Sequence, residues 1–71
     1  AEVLEFKVKE KSPVTKRLIK DIKLTKKGVF AGVIRDGIAL MTFGDFQILA
    51  GDKAVVFCLP EAIHKVEKLF N

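Results

Sequence analysis

Few side chains in this 71-residue sequence are of types that do chemistry. Ser12 is the single serine, Cys58 the single cysteine and His64 the single histidine. A nucleophile needs an activating base beside it, and nothing in the spacing gives Ser12 one. Cys58 sits inside the apolar run Ala54–Leu59, whereas a reactive thiol wants exposure and a positive neighbourhood. It reads as a core thiol. His64 lies on the polar side of an amphipathic segment and reads as a solvated side chain. One cysteine and one histidine cannot build a structural zinc site. Asp45 and Asp52 each follow a glycine. Carboxylates among loop carbonyls suit calcium or magnesium, but Gly-Asp is also ordinary turn chemistry, and no further oxygen ligand is spaced with them. Arg35 precedes Asp36-Gly37; it is either an anion contact or the solvated end of a strand. No G-x-G-x-x-G or G-x-x-x-x-G-K-[ST] stretch is present, so the chain carries no dinucleotide or triphosphate fingerprint. No catalytic residue and no metal ligand emerges, and the chain is not expected to be an enzyme.

Alternating and helical periodicities define the elements that position these residues. Leu4, Phe6 and Val8 share one face of a strand over residues 2–9, opposite Val3, Glu5, Lys7 and Lys9. Ser12 is placed to cap a short helix with Pro13 at its first position, continued by Val14, Leu18, Ile19 and Ile22. Thr25-Lys26-Lys27-Gly28 reads as a turn. Asp36-Gly37 between the apolar runs Val29–Ile34 and Ile38–Thr42 is a hairpin signal. A short strand is possible at residues 46–49. Lys53–Leu59 does not alternate and reads as a strand buried on both faces. Pro60 opens a last helix with an apolar stripe of Ala62, Ile63, Val66, Leu69 and Phe70, and Glu61 is four residues from Lys65, a stabilising spacing. The expected fold is α+β: a small sandwich with a mixed or antiparallel sheet of four to five strands and two helices. Leu4, Phe6, Val29, Ile34, Val55, Phe57, Ile63, Val66 and Phe70 are expected in the core or an interface.

Composition narrows the class further. The chain is 49% apolar and 31% charged, with a formal charge of +4. A domain of this size buries only about 60% of the surface its unfolded chain exposes and draws about 3–5 kcal/mol from its own core. A lone cysteine excludes an internal disulfide framework, which leaves tight packing, oligomerisation or attachment to a larger protein. No apolar run approaches the ~20 residues that span a bilayer, and no secretory leader is visible. The chain starts at Ala1 rather than Met, as expected of a processed protein or an excised domain. It reads as soluble and cytoplasmic.

The charge is uneven. Residues 7–27 hold nine of the thirteen basic residues against Glu10 and Asp21, a net +7, and the remainder is −3. Lys7, Lys9 and Lys11 fall where lysines guard a sheet edge, and Lys16, Lys20 and Lys23 fall on a solvated face. A partner or an anionic ligand is the other reading. Only Phe6 borders the segment, so it lacks the aromatic platform of single-strand binders. Nucleic acid is not expected as a partner, and a small basic nucleic-acid-binding domain is kept only as an alternative, with an enzyme the weakest option.

Ser12-Pro13-Val14, Leu18-Ile19-Lys20-Asp21-Ile22, Gly28, Val33-Ile34-Arg35-Asp36-Gly37, Gly51-Asp52-Lys53-Ala54-Val55-Val56-Phe57 and the segments Leu59–Ile63 and Val66–Phe70 run in the order of the TrkA C-terminal domain family. The sequence resembles that family over essentially its whole length. It departs at Lys16, where the family often has glycine. The resemblance implies one regulatory domain, residues 1–71, from the C-terminal end of a larger protein of a Trk- or Ktr-type potassium uptake system. It implies a homodimer, with NAD or ATP bound by a preceding Rossmann-type domain and cyclic di-AMP or a cation possible at the dimer cleft. It also implies a membrane channel or transporter subunit as partner through the full-length protein. The location would be peripheral to the inner face of the membrane, without insertion. No ligand-contact residue carries over, because those sites vary among relatives. A pairing module without any ligand is the alternative.

Overall fold

The computed structural model describes residues 1–24 and 26–71. Four strands form one antiparallel sheet: β1 (Glu2–Lys7), β2 (Gly28–Arg35), β3 (Ile38–Leu40) and β4 (Lys53–Cys58), in the order β1-β4-β2-β3. One helix, α1 (Ile63–Phe70), follows a 3₁₀ turn at Pro60–Ala62. The fold is α+β, as the periodicities predict. Leu4 and Phe6 are half-buried and Val8 is buried, while Val3, Glu5 and Lys7 are exposed. The Asp36-Gly37 hairpin forms with φ of 53° and 78°, the two positive values that its tight turn requires. The expected turn at residues 25–28 includes Thr25, which lies outside the described residues; Lys26 and Lys27 are in a turn.

The core lies between the inner face of the sheet and α1. Val56, Cys58 and Ala54 of β4, Val33 of β2, and Val66 and Phe70 of α1 are all buried. The Phe70 ring stacks on Phe6, with centroids 4.3 Å apart and planes 3° apart, and meets Phe30 edge-on at 6.4 Å. The α1 stripe thus packs as its spacing predicts. A one-residue bulge decides which β2 side chains join this core. Phe30 pairs with Val56 and Gly32 with Val55, so Ala31 has no partner on β4. Past the bulge the alternation shifts: Val33 turns inward and Ile34 outward. Gly32 fits closely against the neighbouring strand, since a Cβ there would lie 3.3 Å from the Leu40 carbonyl oxygen, a contact that β3 could accept only by giving a few tenths of an ångström.

Several expectations change. The first helix is two 3₁₀ turns, Pro13–Lys16 and Ile19–Asp21, separated by Arg17 and Leu18 in extended conformation. The Gln47 side-chain amide takes the Thr15 and Arg17 carbonyls at 2.9 and 3.1 Å, acceptors that an α-helix would need for itself. Ser12 makes no capping bond. It is buried, its Oγ accepts from the Lys9 N–H at 3.1 Å, and it donates to the Phe70 carbonyl at 2.9 Å. The 46–49 strand reduces to an isolated bridge between Gln47 and Leu18. β1 ends at Lys7 and β3 at Leu40, short of the expected residues 9 and 42. Glu61 pairs with Lys27 at 3.5 Å rather than with Lys65. Both of those side chains are largely exposed, so the pair adds little.

β4 carries the largest change. Its inner residues are buried, but its outer face is open: Phe57 is 44% exposed.

Candidate functional site

Two features stand out on this frame: an ion-paired corner at the end of β2, and the open face of the sheet. The corner is built from Arg35, the last residue of β2, and Asp52, just before β4. Gly51, with φ of 92°, makes the turn that delivers Asp52. Arg35 Nε donates to Asp52 Oδ1 and Nη2 donates to Oδ2, both at 2.8 Å. Nη2 also donates to the Gln47 carbonyl at 3.0 Å, and the guanidinium lies 5.1 Å from the Phe46 ring centroid. The Leu49 N–H donates to Asp52 Oδ2 at 2.9 Å. Hydrogen bonds from Arg35 hold the Asp52 carboxyl below its ordinary range, burial works against them, and the Leu49 N–H adds to the lowering. The same bonds raise Arg35.

This geometry corrects both sequence readings of Arg35. It is neither a free anion contact nor a solvated strand end, because its fork is spent on Asp52. Asp52 is likewise committed, with both oxygens accepting hydrogen bonds, while Asp45 sits exposed in a turn. Among the described residues no three acidic, cysteine or histidine side chains group to hold a metal ion. Cys58 is a buried free thiol. His64 is exposed, with Nδ1 3.5 Å from Glu67 on the solvent side of α1. None of Ser12, Cys58 and His64 meets another as a nucleophile and base would. The ion-paired corner joins residues 17 positions apart, and only the glycine turns beside it were visible signals.

The open face includes the side of β4 that its composition marks as buried, with Val29 and Ile34, expected in the core or an interface, beside it. Val3 and Val29 both lie directly opposite Phe57, on β1 and β2. Their exposures of 61% and 56% make this an apolar row across three strands. Ile34 continues it toward β3, and Met41 and Phe43 are exposed just beyond. A cavity of about 280 Å³ on this side is lined by Ala31, Ile34, Ala39, Met41 and Val55 among others, all apolar. The charged neighbours Glu5 and Lys53 face each other at 3.8 Å. No helix among the described residues is long and apolar enough to cross a membrane.

Known proteins match this chain throughout. The model of the TrkA-C domain matches residues 3–71. The Trk system potassium uptake protein TrkA of Azorhizobium caulinodans is 36% identical over 70 residues, 99% of this chain and 15% of that protein. The Trk system potassium uptake protein TrkA homolog 2 of Methanosarcina mazei is 31% identical over 71 residues, 100% of this chain and 16% of that protein. The chain therefore spans only about 15% of the length of these curated relatives. A solved structure described as an RCK domain with cda superposes with a TM-score of 0.78, at 17% identity and full coverage of both chains. At that identity the likeness concerns the fold. With sequence and fold in agreement over the full length, the chain belongs to the TrkA-C domain family.

Proposed function

We propose that this chain is the regulatory pairing domain of a potassium uptake system, and that two copies meet through the open face of the sheet. The observation that carries the reading is the row Val3–Phe57–Val29. β4 is composed as a strand buried on both faces, yet a single chain covers only one. Burial of the other face by a second copy removes the mismatch, and about 25 cal/mol per Å² of apolar surface covered favours it.

In this reading the regulatory work is a shift between arrangements of the paired domains. A ligand seated where two copies meet, cyclic di-AMP or a cation, favours one arrangement to the extent that it binds it more tightly. NAD or ATP acts through a Rossmann-type domain elsewhere in the full-length protein. The arrangement is transmitted to a transporter subunit at the inner face of the membrane. No bond-making step is assigned to this chain.

The apolar lining of the 280 Å³ cavity favours a second reading, in which the copies pair without a ligand. That lining offers no charge to a phosphate, and Arg35 is already spent on Asp52. Sedimentation equilibrium followed by calorimetric titration with cyclic di-AMP, Mg²⁺ and Ca²⁺ separates the two. A dimer that releases heat with one of them supports ligand sensing, and a dimer silent to all supports pairing alone. A monomer that binds none overturns both.

A further inference from the structure

A second surface, which shares no residue with the sheet's open face, is built differently. The first 3₁₀ turn and the end of α1 flank a trough of about 290 Å³ lined by Pro13, Lys16, Arg17, Ile22, Lys23 and Leu69. Every charge in its lining is positive. Lys16, Arg17 and Lys23 are exposed, and no ion pair among the described residues uses them. Ile22 and Leu69 are half-buried and pack against the hydrophobic core, so they form a floor below the cations.

The walls are held in place. Gln47 grips the carbonyls of Thr15 and Arg17. Ser12 ties the last helical residue to the chain just ahead of Pro13, through its buried bond to the Phe70 carbonyl. Like charges over a low-dielectric floor strengthen the field in such a concavity.

We infer that this trough docks an acidic amphipathic segment of a partner protein, with an apolar side chain on Ile22 and Leu69 and flanking carboxylates on Lys16, Arg17 and Lys23. The lining favours a peptide over the other polyanions. No aromatic side chain lines the trough, and stacking is what a single nucleic-acid strand would need. The apolar part of the lining is two half-buried side chains between exposed cations, room for one inserted side chain rather than a membrane-inserting face. This surface uses none of the open-face residues, so its test is independent of the pairing proposal.

The test is fluorescence anisotropy of the 71-residue chain with a short labelled peptide carrying a Leu-Phe pair flanked by glutamates. Binding is expected to weaken about tenfold or more in the double variant Lys16→Glu/Lys23→Glu. It is expected to weaken as well when the peptide's Leu-Phe is replaced by Ser-Ser, and to fall with added salt. The control Lys26→Glu/Lys65→Glu makes the same charge change at another exposed place and is expected to leave affinity within about twofold. All four lysines are exposed, and thermal melts of the variants verify folding. Equal loss in the control, indifference to Ser-Ser, or no peptide binding overturns the inference. So does dependence on Lys16 and Lys23 of binding to a single-stranded oligonucleotide or to phosphatidylserine vesicles but not to the peptide.

Discussion

Arg35 and Asp52 meet through two parallel hydrogen bonds of 2.8 Å, with the Asp52 side chain 3% exposed and that of Arg35 30% exposed. The pair closes the end of the sheet where β2 leaves for the hairpin and β4 begins. Removing Arg35 strands the Asp52 charge in a site shielded from water. Arg35→Ala is expected to cost about 3 kcal/mol in urea unfolding. Because the carboxylate is better satisfied folded than unfolded, Asp52 has the lower value in the folded state. Its stabilisation is full at neutral pH. It declines as pH falls through the ordinary carboxylate range near about 4 and is lost below the folded-state value. Unfolding midpoints between neutral pH and acid should show that decline in the parent and a flatter limb in Asp52→Asn.

The open sheet face predicts a change of mass without a change of fold. Phe57→Glu places a charge in the centre of the Val3–Phe57–Val29 row. Sedimentation should move from dimer to monomer, and the melting temperature should lose its dependence on protein concentration. Circular dichroism at low concentration should be unaltered.

Ser12 joins the two ends of the chain, and its loss should be felt at both. Ser12→Ala leaves the Phe70 carbonyl and the Lys9 N–H without their partner. A cost of about 1–3 kcal/mol is expected for such stranded groups. Hydrogen exchange should quicken in α1 before it does in β4, since β4 is held by strands on both sides.

The bulge at Ala31 makes a deletion more harmful than a substitution. Without Ala31, alternation along β2 would turn Val33 out of the core and Ile34 into it. The deletion is expected to abolish cooperative unfolding, while Ala31→Ser, at an exposed position, should stay within about 0.5 kcal/mol of the parent. Paired thermal melts of the two variants decide this.

Much of the architecture is legible in the residues because its causes are local. Strand alternation at Leu4, Phe6 and Val8, the two positive φ values at Asp36-Gly37, and the α1 stripe each depend on neighbours within one turn or one pleat. The family resemblance added the order of these parts. The apolar spacing of segment 12–22 suits a helix, while the side chain that takes its carbonyls, Gln47, lies 32 positions from Thr15. The corner is hidden for the same reason: Asp52 lies 17 positions from Arg35, and nothing near Arg35 in the chain announces it.

Composition and periodicity by themselves determined an α+β domain with a helical stripe near its end, a tight hairpin and more apolar surface than a single small core consumes. Three things were decided only in the tertiary structure. They are the pairing of Arg35 with Asp52, the inward turn of Val33 past the bulge, and the side of β4 left uncovered. Each depends on which distant segments come within hydrogen-bonding or van der Waals reach. Periodicity shows that a residue is apolar on a given face; whether anything in the same chain covers that face is a property of the packed molecule.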